Sequence, residues 1–165
     1  MRIIRPSLIT AMLTLLIMHC ACTKRKGGCK FPWKRIGSGC YLIRQQIVSP
    51  DTAFARCAKY KAYLANLETL EEALLLRDEL KKGKTGLHYI VGGRNINRYK
   101  RGGDWRWIQN GKMPKMTYFA FGGSQPDGSN AAPQDCVFFY AHDHYQLHDV
   151  FCYDTGYNGG YICEK

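Results

Sequence analysis

Residues 125–165 read QPDGSNAAPQDCVFFYAHDHYQLHDVFCYDTGYNGGYICEK. Cys136, Cys152 and Cys163 punctuate this stretch. Val137-Phe138-Phe139-Tyr140-Ala141 and Gly160-Tyr161-Ile162-Cys163 are short runs of aromatic and β-branched residues, which predict strands. Gln125-Pro126-Asp127 lies ahead of them, in a segment from Gly111 to Pro133 too rich in Gly, Asn and Pro for packing alone to hold. Loops of that length are usually functional, or are fixed by ligands and disulfides. Strand-like Leu87-His88-Tyr89-Ile90-Val91-Gly92 begins this texture, which runs from Gly86 to the end.

Upstream of Gly86 the pattern is helical. Ser49-Pro50-Asp51 is a helix start, with a capping hydroxyl, Pro at the first helical position and an acid in the first turn. Ala53, Phe54, Cys57, Ala58 and Lys61 follow and put Cys57 on an apolar face. Thr69-Leu70-Glu71-Glu72 is a capping box for a second helix. Leu70, Ala73, Leu74, Leu76 and Leu80 form its stripe, and Lys81-Lys82-Gly83 closes it with cations and a C′ glycine. Before both helices, Cys29 and Cys40 bracket Phe31 to Gly39, which reads as a hairpin stapled at its base. Helices early with strands and loops late make an α+β domain.

The chain has 165 residues, about one domain's worth, and 45% hydrophobic residues, enough for a packed core. Its first 22 residues predict a secretory signal: Arg2 and Arg5 precede the uncharged run Leu8–Met18, 11 residues long and too short to span a bilayer. Cleavage after Cys22 leaves residues 23–28 as a basic arm and 29–165 as the domain. Cleavage after Ala21 would leave Cys22 for an intermolecular link, and a membrane anchor or a lipid on Cys20 or Cys22 are the competing readings. Of 8 cysteines, Cys29, Cys40, Cys57, Cys136, Cys152 and Cys163 then remain, an even set that in an exported chain reads as three disulfides. No C-x2-C pair supports a zinc site instead. No later stretch is apolar enough for a membrane span.

The order of these pieces resembles the C-type lectin-like domain across essentially the whole mature chain. The cysteine-flanked hairpin, the helix carrying Cys57 and the capping-box helix are followed by Tyr89-Ile90-Val91-Gly92-Gly93 and Trp105-Arg106-Trp107. Gln125-Pro126-Asp127, Cys136, His148-Asp149 ahead of Cys152, and Tyr161-Ile162-Cys163-Glu164 complete the series. Gly103-Asp104-Trp105-Arg106-Trp107 and Gly160 to Lys165 are similar to the secreted single-domain invertebrate type, including the perlucin-like proteins of mollusc shell matrix. The resemblance implies two helices with a small antiparallel sheet and a long-loop region, stapled by Cys29–Cys40, Cys57–Cys163 and Cys136–Cys152. It also makes Trp105 and Trp107 sheet or core aromatics.

The same resemblance implies a calcium-assisted sugar site. In sugar-binding members the ion coordinates two neighbouring sugar hydroxyls while the same side chains hydrogen-bond them. Gln125 and Asp127 match the Gln-Pro-Asp form associated with galactose-type sugars, and Asp149 matches the aspartate three residues before the last loop cysteine. Three positions depart from the pattern. Gln134 stands where the family carries an acid, leaving Asp135 as the nearest substitute. His148 offers nitrogen where the family offers an amide oxygen. Leu147 and Phe121 replace tryptophans. Asp127 and Asp149 are the secure carboxylates for a metal, so calcium is expected to be weak, near ~10⁻³ M, or absent. No aromatic follows Asp127 to stack on a sugar face.

Other chemistry finds little in the sequence. Motifs for serine hydrolases, zinc proteases and phosphate-binding loops are missing, and bridges account for the mature cysteines, so no enzyme is expected. His142-Asp143-His144 with His148 and Asp149 suggests Zn or Cu if both flanking histidines share a strand face; a polar strand end is the plainer reading. Lys+Arg 24 against Asp+Glu 13 gives a net charge of +11, an attraction to anions. Outside a cell those are acidic glycans, mineral or acidic matrix rather than nucleic acid. Arg94, Arg98, Lys100 and Arg101 with Tyr99 form a candidate polyanion patch. The expected function is a secreted lectin for galactose-type or acidic glycans, acting in recognition or innate defence. The alternative is a perlucin-like matrix protein in which sugar binding has weakened or been lost.

Overall fold

The computed structural model describes residues 28–117, 120–153 and 158–165. The expected signal at 1–22 and nearly all of the basic arm lie outside the described residues.

The first hairpin pairs β1 (Lys34–Ile36) with β2 (Gly39–Val48), and the Cys29–Cys40 disulfide staples it. Helix α1 (Pro50–Lys59) starts where the sequence places it: the Ser49 hydroxyl accepts from the Thr52 N–H at 3.3 Å. Its buried stripe is Pro50, Ala53 and Cys57, at helical spacing. Phe54 and Ala58 turn outward, and Lys61 falls beyond the helix end, so the apolar face is narrower than expected. After β3 (Tyr63–Leu64), the hydroxyl of Thr69 accepts from Glu72 N–H at 3.2 Å to open α2 (Leu70–Gly83). The Glu72 carboxylate returns to the N–H of Glu68 at 3.0 Å, one residue before the cap. At the other end Gly83 stays helical, and Lys84, at φ 48°, takes the left-handed position expected of the glycine.

The remaining strands are β4 (Tyr89–Asn95), β5 (Trp105–Trp107), β6 (Cys136–Tyr140), β7 (Gln146–Val150) and β8 (Gly159–Glu164). The eight strands form one sheet, in the order β1-β2-β8-β4-β6-β7, with β3 beside β8 and β5 beside β4. This sheet is larger than the small antiparallel one expected, and it includes a parallel pair, β4 with β8. Both ends of the domain meet at β2 and β8, where Leu42 lies opposite Cys163. Among the described residues no helix is long and apolar enough to cross a membrane.

Strand β4 is buried on both faces, hence its unbroken apolar run. Tyr89 and Val91 join a core with Leu76 and Leu80 of α2, while Ile90 joins one with Ala53 and Cys57 of α1. Trp105 and Trp107 are buried in the α2-side core. At Gly92 the neighbouring chain comes so close that a Cβ would sit 2.6 Å from the Leu64 carbonyl oxygen and 2.4 Å from Asn66 Oδ1. Backbone at that distance cannot rotate away. Gly92→Ala is therefore expected to lower stability by about 1–3 kcal/mol through overpacking, read as a lower urea midpoint at unchanged m.

Candidate functional site

Strands β6 and β7 pair so that Val137 faces Asp149 and Phe138 faces His148. The Cys136–Cys152 disulfide closes this hairpin beneath the long loop. Above it the Gln125–Pro126 peptide is cis. The turn places Gln125 and Asp127 on the wall of a cavity of about 190 Å3, together with Gln134, Tyr140, His148 and Asp149. Five of the six site residues expected from the sequence thus converge. Asp135 does not join them. It lines a neighbouring cavity of about 420 Å3, where the Arg98 guanidinium bonds its carboxylate. Gln134 and Asp149 border both cavities.

Asp149 is 2% exposed and works as an internal clamp. One carboxylate oxygen accepts from the Asp127 N–H at 3.0 Å and the other from the Gly128 N–H at 2.9 Å. Burial pushes its pKa up, and the two N–H bonds pull against that rise while the Asp127 charge adds to it. Gln134 Nε2 donates to Asp127 Oδ1 at 2.8 Å. Among the described residues, Gln125 Oε1 is buried with no hydrogen-bond partner.

His148 points its Nε2 to Asp143, 2.9 Å away, and this contact with one from Gln146 holds the Asp143 carboxyl below the usual range. The Tyr140 ring lies between His88 and His148, 4.6 Å from each. It is a wall of the cavity rather than a free stacking platform. His88 was not singled out from the sequence. Its Nδ1 accepts from the Ala141 N–H at 3.0 Å, and burial, then His142 and His148, push its pKa down. Ala141–Asp143 is a 3-10 turn and His144 is left-handed at φ 51°, so His142 and His144 do not share a strand face. Of the basic patch, Arg94 lies on β4 and pairs with Asp51 at 2.8 Å, and Arg98 pairs with Asp135.

The sequence profile of the Lectin C-type domain family matches residues 47–165. The chain belongs to the C-type lectin domain family. This is a carbohydrate-binding family. The domain is 26% identical to a perlucin-like protein of Mytilus galloprovincialis over 160 residues, 94% of this chain and 97% of that protein. Its fold is similar to that of the lectin SPL-1 in a GlcNAc complex, with a TM-score of 0.69 at 23% identity, over 88% of this chain and 97% of that one. It is also similar to SPL-2 of Saxidomus purpuratus, a Ca2+-independent C-type lectin, with a TM-score of 0.67 at 28% identity. That likeness covers 83% of this chain and 93% of SPL-2.

The donor set does not fit a resident calcium ion. Calcium takes about 6–8 oxygens, with affinity rising with the number of charged ligands. Among the described residues, Asp127 and Asp149 are the only carboxylates in the cavity beneath the turn. Each oxygen of Asp149 already accepts a backbone N–H, and Asp127 Oδ1 accepts from Gln134. Asp135 is neutralised by Arg98 on the far side of the loop. Among the described residues, no three His, Cys, Asp or Glu side chains are grouped to hold a metal. The loop is instead fixed by its own hydrogen bonds.

Proposed function

We propose that this domain is a secreted lectin that binds a galactose-type sugar beneath the Gln125-Pro126-Asp127 turn without a resident calcium. The observation that carries the reading is the convergence of the polar side chains of Gln125, Asp127 and Gln134 on the wall of one cavity. A side-chain amide both donates to and accepts from sugar hydroxyls, and a carboxylate accepts from them. Neighbouring carboxylate and amide groups then take further hydroxyls of the same ring. The similarity to a Ca2+-independent lectin supports this division of labour. Residues 1–22 as a secretory signal, 23–28 as an arm and 29–165 as the domain agree with three disulfides, which need an oxidising compartment. Recognition or agglutination in innate defence is the role such binding serves.

Titration of the mature protein with lactose, with and without EDTA, tests this. Binding is expected to be equal in both, and at least about tenfold weaker in Gln125→Ala and Asp127→Ala, a loss near 1.4 kcal/mol. EDTA-abolished binding would return the site to calcium. If lactose fails to bind under either condition, the galactose reading is wrong.

Similarity to a perlucin-like protein over 94% of the chain favours a second reading, a matrix role through mineral or acidic organic surfaces. That role predicts salt-sensitive, EDTA-indifferent retention on carbonate that survives Asp127→Ala.

A further inference from the structure

The larger cavity lies on the other side of the Pro126–Gly128 turn, and residues 95–103 form its far wall. That wall is a preorganised loop. Asn95 Oδ1 accepts from the N–H groups of Asn97 at 3.3 Å and Asp104 at 2.9 Å. Ile96 N–H donates to the Asp104 carbonyl at 2.9 Å, and Gly103 N–H to the Lys100 carbonyl at 2.7 Å. Gly102 and Gly103, both at φ 76°, make the turn back. A Cβ on Gly103 would meet Trp105 Nε1 at 2.8 Å and Asn95 at 2.9 Å, so the loop rests directly on the core.

Three cations, Arg98, Lys100 and Arg101, line this cavity with two carboxylates, Asp135 and Asp149. Asp135 is bonded to Arg98, and Asp149 to the two backbone N–H groups of the turn. Among the described residues, Lys100 and Arg101 make no ion pair. Arg98 offsets Asp135, and the two remaining cations outnumber the one remaining carboxylate, Asp149, which faces the turn's own N–H groups. Tyr99, 82% exposed, stands at the rim as an aromatic face. Gln134 and Asp149 border this cavity and the sugar cavity alike, so the two are immediate neighbours.

We infer that Lys100 and Arg101 form an anion subsite for a sulfate ester or carboxylate on a glycan whose neutral galactose-type ring sits at Gln125 and Asp127. The inference rests on the sugar-binding reading above and narrows it to acidic glycans. Charge-assisted bonds to a group held beside the ring add affinity without new ordering of the loop. Arg98 plays a different part: it positions the long loop through Asp135.

The test uses lactose, 6′-sulfolactose and 3′-sialyllactose, titrated against the mature protein and a Lys100→Ala/Arg101→Ala variant. Both substituted residues are exposed loop positions, and thermal unfolding checks that the variant folds. The sulfated or the sialylated sugar is expected to bind about tenfold tighter than lactose or better, and the tighter of the two identifies the anion. In the variant that preference is expected to collapse to within about twofold, and raised salt is expected to erode it in the parent. Equal binding of all three sugars overturns the subsite and leaves the lactose site standing. A preference that survives in the variant also overturns it. Sulfolactose binding that needs Lys100 and Arg101 but is indifferent to Asp127→Ala supports the anion subsite and overturns the neutral-ring half.

Discussion

Replacing Cys57 and Cys163 together by alanine is expected to lower the melting temperature by about 10–20 °C under non-reducing conditions. The bridge spans 106 residues, and closing a loop of about that length restricts the unfolded chain by roughly 4–5 kcal/mol. Both cysteines are fully buried in the α1-side core, and Cys163 lies in β8 opposite Leu42 and Leu64. The bridge thus holds the first helix to the strand that joins the two chain ends. Removing Cys29–Cys40, whose separation is 11, relieves a shorter constraint of about 3 kcal/mol at the edge of the domain. Calorimetry of the two alanine pairs should rank Cys57/Cys163 as the larger loss. Equal losses would show that chain entropy does not govern the ranking.

Local chemistry made much of this fold legible. Ser49, Thr69 and Glu72 cap as read because capping depends on neighbours a few residues apart. The spacing and even number of cysteines announced a domain stapled by three disulfides. Strand β7 escaped notice because Gln146, His148 and Asp149 look like a polar turn. Pairing with β6, and not side-chain pattern, makes it a strand. The two-residue β3 and the polar second half of β2 were missed for the same reason. Nothing local makes Lys84 rather than Gly83 left-handed, and nothing local predicts the parallel β4–β8 pair.

Which residues gather beneath the turn was legible in the sequence, and which bonds they make was not. Gln125, Asp127, Gln134, His148 and Asp149 converge as their family positions imply. That Asp149 spends both oxygens on the turn's own N–H groups could not be read from spacing, because the partners are more than twenty positions away. The same holds for Arg98 and Asp135, 37 positions apart. These pairings hold the turn and the polar cavity beneath it through their own hydrogen bonds. Of the candidate polyanion patch expected from the sequence, Lys100 and Arg101 are then the members without an ion pair among the described residues.

Glu164 carries the second large effect, and it concerns pH. Its Oε2 accepts from the Asn66 N–H at 2.9 Å, joining β8 to the segment before α2. Burial pushes its pKa up to about 7 from 4.5; the charges of Glu72 and Glu68 act the same way, and the Asn66 bond opposes them. Glu72 is itself bonded by the Tyr41 hydroxyl. A carboxyl whose folded pKa lies above its unfolded one holds its proton more tightly when folded. Its contribution to stability is full below pH 4.5 and is lost as pH rises through about 7. The whole span amounts to about 3 kcal/mol. Glu164→Gln keeps an oxygen for the Asn66 N–H and removes the charge. At pH 8 the variant is expected to be more stable than the parent by up to about 3 kcal/mol, with the gap narrowing toward pH 4.5. Glu164→Ala, which leaves the Asn66 N–H unpaired, should not reproduce that gain. Urea unfolding of all three proteins from pH 4.5 to 8 decides the matter. Parallel stability curves for parent and Glu164→Gln would mean that this carboxylate ionises without penalty where β8 meets the segment before α2.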